Sequence, residues 1–115
     1  MGNPVVHFEI RSKDADTARG FYGKLFAWEF PPAPEPGYTY VVTGVEGAIP
    51  GGIGRAAGGH GHVTFFVGVD DVEKALAHVE RLGGKIVLPA TKVPGVTFGL
   101  FSDPEGLVVG VSKNE

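Results

Sequence analysis

Apolar residues recur at every second position in two short stretches of the chain, VVHFEI at 5–10 and HVTFFV at 62–67. A period of two places successive side chains on opposite faces of a strand. The first stretch divides into two groups, with Val6, Phe8 and Ile10 on one face and Val5, His7 and Glu9 on the other. Both stretches are therefore predicted to be strands that pack one face on a core.

A helical pattern follows each of these strands. It covers KDADTARGFYGKLF at 13–26 and VDDVEKALAHVERLGG at 69–84. Each segment starts with acidic residues, which cap the free N–H groups of a first helical turn and suit its dipole. The predicted N-caps are Asp14 in the first segment and either Asp70 or Asp71 in the second.

Three short strands are predicted after each helix. In the first half of the chain they lie near 27–30, 38–43 and 47–53, and in the second half near 85–88, 96–101 and 107–112. Turn-forming residues separate them, such as DPEG before the last strand. Each half is therefore predicted to be a βαβββ unit.

The two halves also repeat in sequence. At an offset of 57 Phe8 aligns with Phe65, and at an offset of 59 Gly51 aligns with Gly110. The repeat predicts one domain over 1–115, made of a unit at about 4–55, a Gly-rich joint at 56–61 and a second unit at about 62–113.

The predicted fold class is α+β, with two βαβββ units forming a cupped, barrel-like mixed sheet and the helices on its outer face. The other face is expected to enclose a cavity. If the strands alternate as predicted, the residues that point into it are Val5, His7, Glu9, Ile49, Gly51, Ile53, His62, Thr64, Phe66, Val108, Gly110 and Ser112.

Composition and charge exclude several classes of partner and chemistry. The net charge is -3 and no basic stripe is present, which argues against a nucleic-acid partner. The chain has no cysteine, so disulfides and thiolate chemistry are excluded. Its apolar runs are strand-sized, so no membrane partner is expected, and a cytoplasmic location is predicted.

These features resemble the vicinal oxygen chelate superfamily, which includes lactoylglutathione lyase, extradiol dioxygenases and bleomycin-resistance proteins. The resemblance covers nearly the whole chain. The chain is similar in particular to a short lactoylglutathione lyase-related subgroup. The resemblance rests on VVHFEI, D-x-x-x-A-x-x-F-Y from Asp14 to Tyr22, FAWEF, VDDVEKALAHVERLGGKIV and DPEG before the final strand. It implies a glyoxalase-like domain and a homodimer.

Metal-using members hold a divalent ion with His, Glu or Gln on the first and last strands of each unit. The matching positions here are His7 and Thr64 on first strands, and Gly51 and Gly110 on last strands. Glycine has no side-chain donor and Thr is an uncommon ligand, so no metal and no other cofactor is expected. A rearranged divalent-metal site built from His7, Glu9 and His62 is an alternative.

The first functional hypothesis is a protein that binds a small organic molecule in the cavity, and that could act as a metal-independent isomerase or lyase through proton transfer by His7 and Glu9. The alternatives are a binder that sequesters a toxic compound, as bleomycin-resistance proteins do, and a divalent-metal lyase or dioxygenase. A salt bridge is a structural alternative for Glu9. The predicted binding residues are His7, Tyr40, Gly51, His62, Thr64, Phe66, Phe98 and Gly110.

Overall fold

A computed structural model describes residues 2–115 of the chain. These residues form two compact units. The N-terminal unit is His7–Val63, and the C-terminal unit combines residues 2–6 with Thr64–Glu115.

The N-terminal unit contains one helix and a small mixed sheet. Its elements are β1 (Val5–Ser12), α1 (Ala15–Phe26), β2 (Thr39–Val41), β3 (Gly51–Arg55) and a 3₁₀ turn (Ala57–Gly59). The strand order is β2-β3-β1, with β1 and β3 parallel and β2 antiparallel to β3. Strand β1 begins in the other unit, to which its first two residues belong.

The C-terminal unit has the same parallel pairing of first and last strands. Its elements are β4 (His62–Gly68), α2 (Val72–Arg81), β5 (Lys85–Val93), β6 (Val96–Ser102) and β7 (Val108–Asn114). The first two residues of β4 belong to the N-terminal unit. The order is β4-β7-β6-β5, and β4 is parallel to β7. The N-terminal segment joins this unit because the amide of Gly68 donates to the carbonyl of Pro4 at 2.8 Å.

The predicted α+β class is confirmed, with two helices and seven strands of mixed direction in residues 2–115. The strand predicted at 27–30 is wrong, since this segment makes a single isolated bridge, between Glu29 and Val42. Ala27 ends α1 there in a left-handed conformation. The strand predicted from 47 begins at Gly51, because the preceding residues form a turn in which Gly47 has a φ of 81°.

The predicted helix starts are confirmed at both N-caps. The carboxylate of Asp14 accepts from the amide of Thr17 at 3.1 Å, and that of Asp71 accepts from the amide of Lys74 at 3.0 Å. Asp71 rather than Asp70 is thus the cap of α2. Neither helix in the described part of the chain is long and apolar enough to cross a membrane.

Each unit packs its helix on one face of its own sheet. In the N-terminal unit, the buried core consists of Ile10, Ala15, Val41 and Ile53, with Phe8, Ala18, Tyr22, Trp28 and Phe30 against it. In the C-terminal unit, it consists of Val72, Leu76 and Val111, with Val69, Ala75, Ile86, Ala90 and Phe101 against it. The opposite face of each sheet carries most of the predicted functional residues, whereas Gly51 and Ile53 lie on the helix-facing side.

Candidate functional site

The face of the N-terminal sheet opposite α1 is built from polar and aromatic side chains. Across the three strands Glu9 pairs with Gly52, and Gly52 pairs with Tyr40, so these three residues share one face. Residues two positions away along each strand lie on the same side. We call this the polar face and define it by His7, Glu9, Arg11, Tyr38 and Tyr40.

A chain of hydrogen bonds links three of these side chains. The hydroxyl of Tyr38 donates to the carboxylate of Glu9 at 3.1 Å, and Nε2 of His7 lies 3.1 Å from the same hydroxyl. Because a phenol has one proton, a hydroxyl that donates to Glu9 receives a hydrogen bond from His7. This arrangement assigns the proton of neutral His7 to Nε2.

Arg11 holds the other end of this chain. Its Nε lies 3.1 Å from Glu9 Oε1, and its other guanidinium nitrogens reach Glu9 Oε2 at 3.3 Å and Glu35 Oε2 at 3.1 Å. The guanidinium also lies over the Tyr38 ring, 4.8 Å from its centroid. Glu9 is 7% exposed, so its charge needs these partners.

Burial and the Glu9 charge set the protonation of the face. Burial lowers the pKa of His7 below 6.5, although the negative charge of Glu9 partly opposes this. Burial and then the nearby Glu9 charge raise the pKa of Tyr38. Burial opposes the charge of Arg11, but hydrogen bonds to Glu35 and Glu9 outweigh it and raise the pKa. At neutral pH His7 is therefore neutral, Tyr38 protonated and Arg11 charged.

Tyr38 occupies the space above Gly52. A Cβ at Gly52 would overlap the hydroxyl and ring of Tyr38, so this approach requires glycine. Gly54, two residues on, lies under the edge of the same ring, where a Cβ would stand 2.6 Å from Cδ2. The glycines of β3 thus make room for the aromatic ring of the polar face.

The predicted facing of Gly51 and Ile53 is wrong. Ile53 is fully buried in the core beside α1, and Gly51 lies on that same face beneath the ring of Phe8. In the structural repeat the equivalent of Gly110 is Gly52, not Gly51. Glu9 pairs with Gly52 in the first unit as Phe66 pairs with Gly110 in the second. The offset is therefore 58 in the last strands, and an error of one residue exchanges the two faces.

In the C-terminal unit the corresponding face is aromatic rather than charged. The ring of Phe66 covers Gly110, where a Cβ would overlap it, and meets Phe98 edge-on at 6.3 Å. Thr64, two residues before Phe66, is buried and its hydroxyl donates to the carbonyl of Val108 at 2.8 Å. Within this unit the sheet therefore brings together the predicted binding residues Thr64, Phe66, Phe98 and Gly110.

The other predicted binding residues belong to the N-terminal unit. Tyr40 lies on the polar face, is 40% exposed and meets Tyr38 edge-on at 6.4 Å. His62 is exposed at the start of β4. Ile49, which was expected to face the cavity, precedes β3 and is 46% exposed.

The residues at the four family positions do not fit a divalent metal ion. The last-strand positions are glycines without a donor atom, and aromatic rings fill the space above them. The hydroxyl of Thr64 donates to a main-chain carbonyl instead. Among residues 2–115 no three or more His, Asp or Glu side chains are grouped to hold a metal, so His7, Glu9 and His62 do not form one.

Sequence reasoning missed three residues of the site: Arg11, Tyr38 and Gly52. A simple signal was present for the first two, because Arg11 continues the alternation of His7 and Glu9, and Tyr38 lies two residues before Tyr40. Gly52 had no such signal, since GGIG offers a glycine on either face.

The chain thus contains two α+β units, each with parallel first and last strands and a helix on one face of its sheet. A family model described as the Glyoxalase/Bleomycin resistance protein/Dioxygenase superfamily matches residues 5–111. The chain belongs to this superfamily. Among curated proteins the comparison found no match.

Solved structures share this fold. A superfamily member from Vibrio splendidus 12B01 is 15% identical, with coverage of 98% of this chain and 100% of its own and a TM-score of 0.67. Methylmalonyl-CoA epimerase from Mycobacterium tuberculosis is 13% identical, with coverage of 96% and 87% and a TM-score of 0.62. The Mn(II)-bound glyoxalase from Novosphingobium aromaticivorans is 21% identical, with coverage of 96% and 38% and a TM-score of 0.63. At these identities the likeness concerns the fold alone.

Proposed function

We propose that the protein binds a small organic molecule against the polar face of the N-terminal unit, without a divalent metal ion as cofactor. The observation that carries this proposal is the hydrogen-bonded chain from His7 through Tyr38 to Glu9. It holds a neutral, half-buried imidazole on the same sheet face as an exposed aromatic ring, Tyr40. Apolar and aromatic surface with a few fixed polar groups is the usual composition of a small-molecule site.

Membership of the superfamily supports the proposal without naming the ligand, because the superfamily includes glyoxalases, dioxygenases and bleomycin-resistance proteins alike. The donor set supports a metal-free site, since glycine at positions 52 and 110 supplies no ligand atom. The His7 imidazole and the Tyr40 hydroxyl and ring are the groups that we assign to ligand contact. Tyr38, Glu9 and Arg11 hold His7 in place.

The test is a thermal-shift screen of small metabolites and antibiotics, followed by calorimetry on the hits. A hit at the polar face should raise the melting temperature of wild type. Most of this rise should be lost in His7→Gln. The matched control is His60→Gln, which changes an exposed histidine in the loop 56–61 and should bind as wild type does. Equal binding by both variants would contradict the assignment to the polar face.

A second candidate is proton-transfer catalysis as a metal-independent isomerase or lyase. The observation in its favour is the neutral state of His7, since burial lowers its pKa and leaves an imidazole able to accept a proton at neutral pH. Glu9 is held by Arg11 and Tyr38, so we assign it the role of fixing this chain rather than of accepting the substrate proton. Turnover of each hit should fall in His7→Ala, and unchanged turnover in His7→Ala with Glu9→Ala would refute proton transfer by His7. A hit that binds but is not turned over would favour the non-catalytic, sequestering role.

A homodimer stays a prediction. Three large apolar side chains of α1, Phe21, Leu25 and Phe26, are more than half exposed, and burying them in a second copy would be favourable. Light scattering after size-exclusion chromatography measures the mass directly. A single monomer mass across the micromolar range would refute the prediction.

A further inference from the structure

A cleft lies on the N-terminal unit at the edge where β1 and β3 both end. Lys13, Arg55 and residues 56–59 line it, and none of them belongs to the polar face. Because β1 and β3 are parallel, their carboxyl ends meet at one edge, and α1 begins there after its N-cap Asp14. We call this the basic cleft and define it by these lining residues.

The cleft carries two positive charges without a counter-charge. Lys13 and Arg55 are exposed, and neither lies within salt-bridge distance of a carboxylate among residues 2–115. Arg11 and Arg19, by contrast, are both paired with carboxylates. No acidic side chain lines the cleft, although the whole chain has a net charge of -3. The side chains that line the cleft therefore carry the opposite charge to the chain as a whole.

The remaining wall is main chain. Residues 56–59 read AAGG, and Gly58 and Gly59 have φ values of 75° and 81°, which only glycine adopts without strain. The absence of long side chains lets a ligand approach the main chain of this loop closely. Successive main-chain N–H groups in turns that contain left-handed residues can form concave binding sites for anions.

We propose that the basic cleft binds the phosphate group of a small phosphorylated molecule. Arg55 supplies a planar set of donors that matches phosphate oxygens, and Lys13, the residue that follows β1, supplies a second positive charge. The cleft measures about 560 Å³, within the size range of small-molecule sites, so there is room for more than the phosphate itself. This proposal does not depend on the function proposed for the polar face.

The experiment is a titration of the ¹⁵N-labelled chain with phenyl phosphate at constant ionic strength, followed by two-dimensional NMR. The amide signals of Gly58 and Gly59 should shift and saturate. Lys13→Gln and Arg55→Gln should each weaken binding by about fivefold, the loss expected for one exposed charge pair. Arg55→Lys should bind more tightly than Arg55→Gln because it keeps the charge.

The matched control is Lys24→Gln, which removes an exposed charge near the other end of α1. It should bind phenyl phosphate as wild type does. An equal loss in Lys24→Gln would show attraction by overall charge rather than by the cleft, and would overturn the proposal. Linear shifts that never saturate, or saturable shifts confined to the polar face, would overturn it as well.

Discussion

The ring of Tyr38 lies over Gly52, in the space that a side chain on β3 would otherwise take. The same relation holds in the other unit, where Phe66 covers Gly110. In each unit a glycine on the last strand faces an aromatic side chain across the sheet surface. These pairs explain glycine inside a strand, where it otherwise costs stability.

Substituting either glycine should destabilise the protein. A Cβ at Gly52 or Gly110 overlaps an aromatic ring that is itself packed, so we expect Gly52→Ala and Gly110→Ala to cost about 1–3 kcal/mol each. Urea denaturation monitored by circular dichroism measures the free energy of unfolding. Gly20→Ala is the matched control, because Gly20 lies in α1 with nothing within 4 Å, and this change should be stabilising by about 0.5–1 kcal/mol. Equal effects at all three positions would contradict the overlap.

Removing the Tyr38 hydroxyl should cost stability even though the ring stays. Tyr38→Phe leaves the carboxylate of buried Glu9 without one of its donors, at an expected cost of about 1–3 kcal/mol. Tyr40→Phe is the control, since Tyr40 is 40% exposed and its hydroxyl makes no hydrogen bond within residues 2–115. Urea denaturation of the two variants compares their free energies of unfolding. A loss of the same size in Tyr40→Phe would refute a special role for the Tyr38 hydroxyl.

Glu9 and Arg11 should be strongly coupled. Arg11→Met leaves a buried carboxylate without its ion-pair partner, and we expect a loss of about 2–4 kcal/mol. Glu9→Gln in the same chain removes the charge that lacks a partner, so the double variant should be more stable than the sum of the single losses predicts. A double-mutant cycle by urea denaturation gives the coupling free energy. A coupling near zero would mean that the pair contributes nothing beyond each residue alone.

Stability should fall in mild acid because of His7. Burial lowers the pKa of His7 in the folded state below 6.5, so the unfolded chain binds a proton at a higher pH than the folded one. The contribution of His7 is complete above about pH 6.5 and is lost as the pH falls through its folded-state pKa. Comparing the unfolding free energy of wild type and His7→Gln between pH 7.5 and 5 isolates this contribution, and parallel curves would contradict it.

The same pKa provides a second measurement. NMR titration of the His7 ring should give a midpoint below 6.5 in wild type. Glu9→Gln should lower it further, because the negative charge of Glu9 favours the protonated imidazole. A midpoint that rises in Glu9→Gln would show that the charge of Glu9 does not act on His7 in this way.

Periodicity and capping were enough to predict the fold. The alternation in VVHFEI and the carboxylates at Asp14 and Asp71 are local signals, and both appear in the structure as predicted. The strand predicted at 27–30 was wrong because the aromatic residues of this segment pack against the core of the N-terminal unit from a loop rather than from a strand. Local pattern cannot tell an aromatic residue in a strand from one in a loop on the same core.

The site was less predictable because its contacts are long-range. Tyr38 meets His7 and Glu9 from about thirty residues away, and no spacing along the chain encodes that meeting. The face of Gly52 depends on strand register. GGIG has glycines on both faces, and its one side chain, Ile53, was assigned to the cavity although it lies in the core. His7 and Glu9 were accessible to sequence reasoning because alternation within one strand is enough to place both on one face.

The pairing of Gly110 with Phe66 also bears on how the chain can change. A metal-binding carboxylate at position 110 would collide with the Phe66 ring, so Gly110→Glu alone passes through a destabilised protein, and the same holds at Gly52 with Tyr38. Each gain of a ligand requires a second, compensating substitution across the sheet. Mutational paths from this sequence towards a metal enzyme are therefore epistatic, and a laboratory selection for metal-dependent activity should recover double substitutions at these pairs rather than single ones.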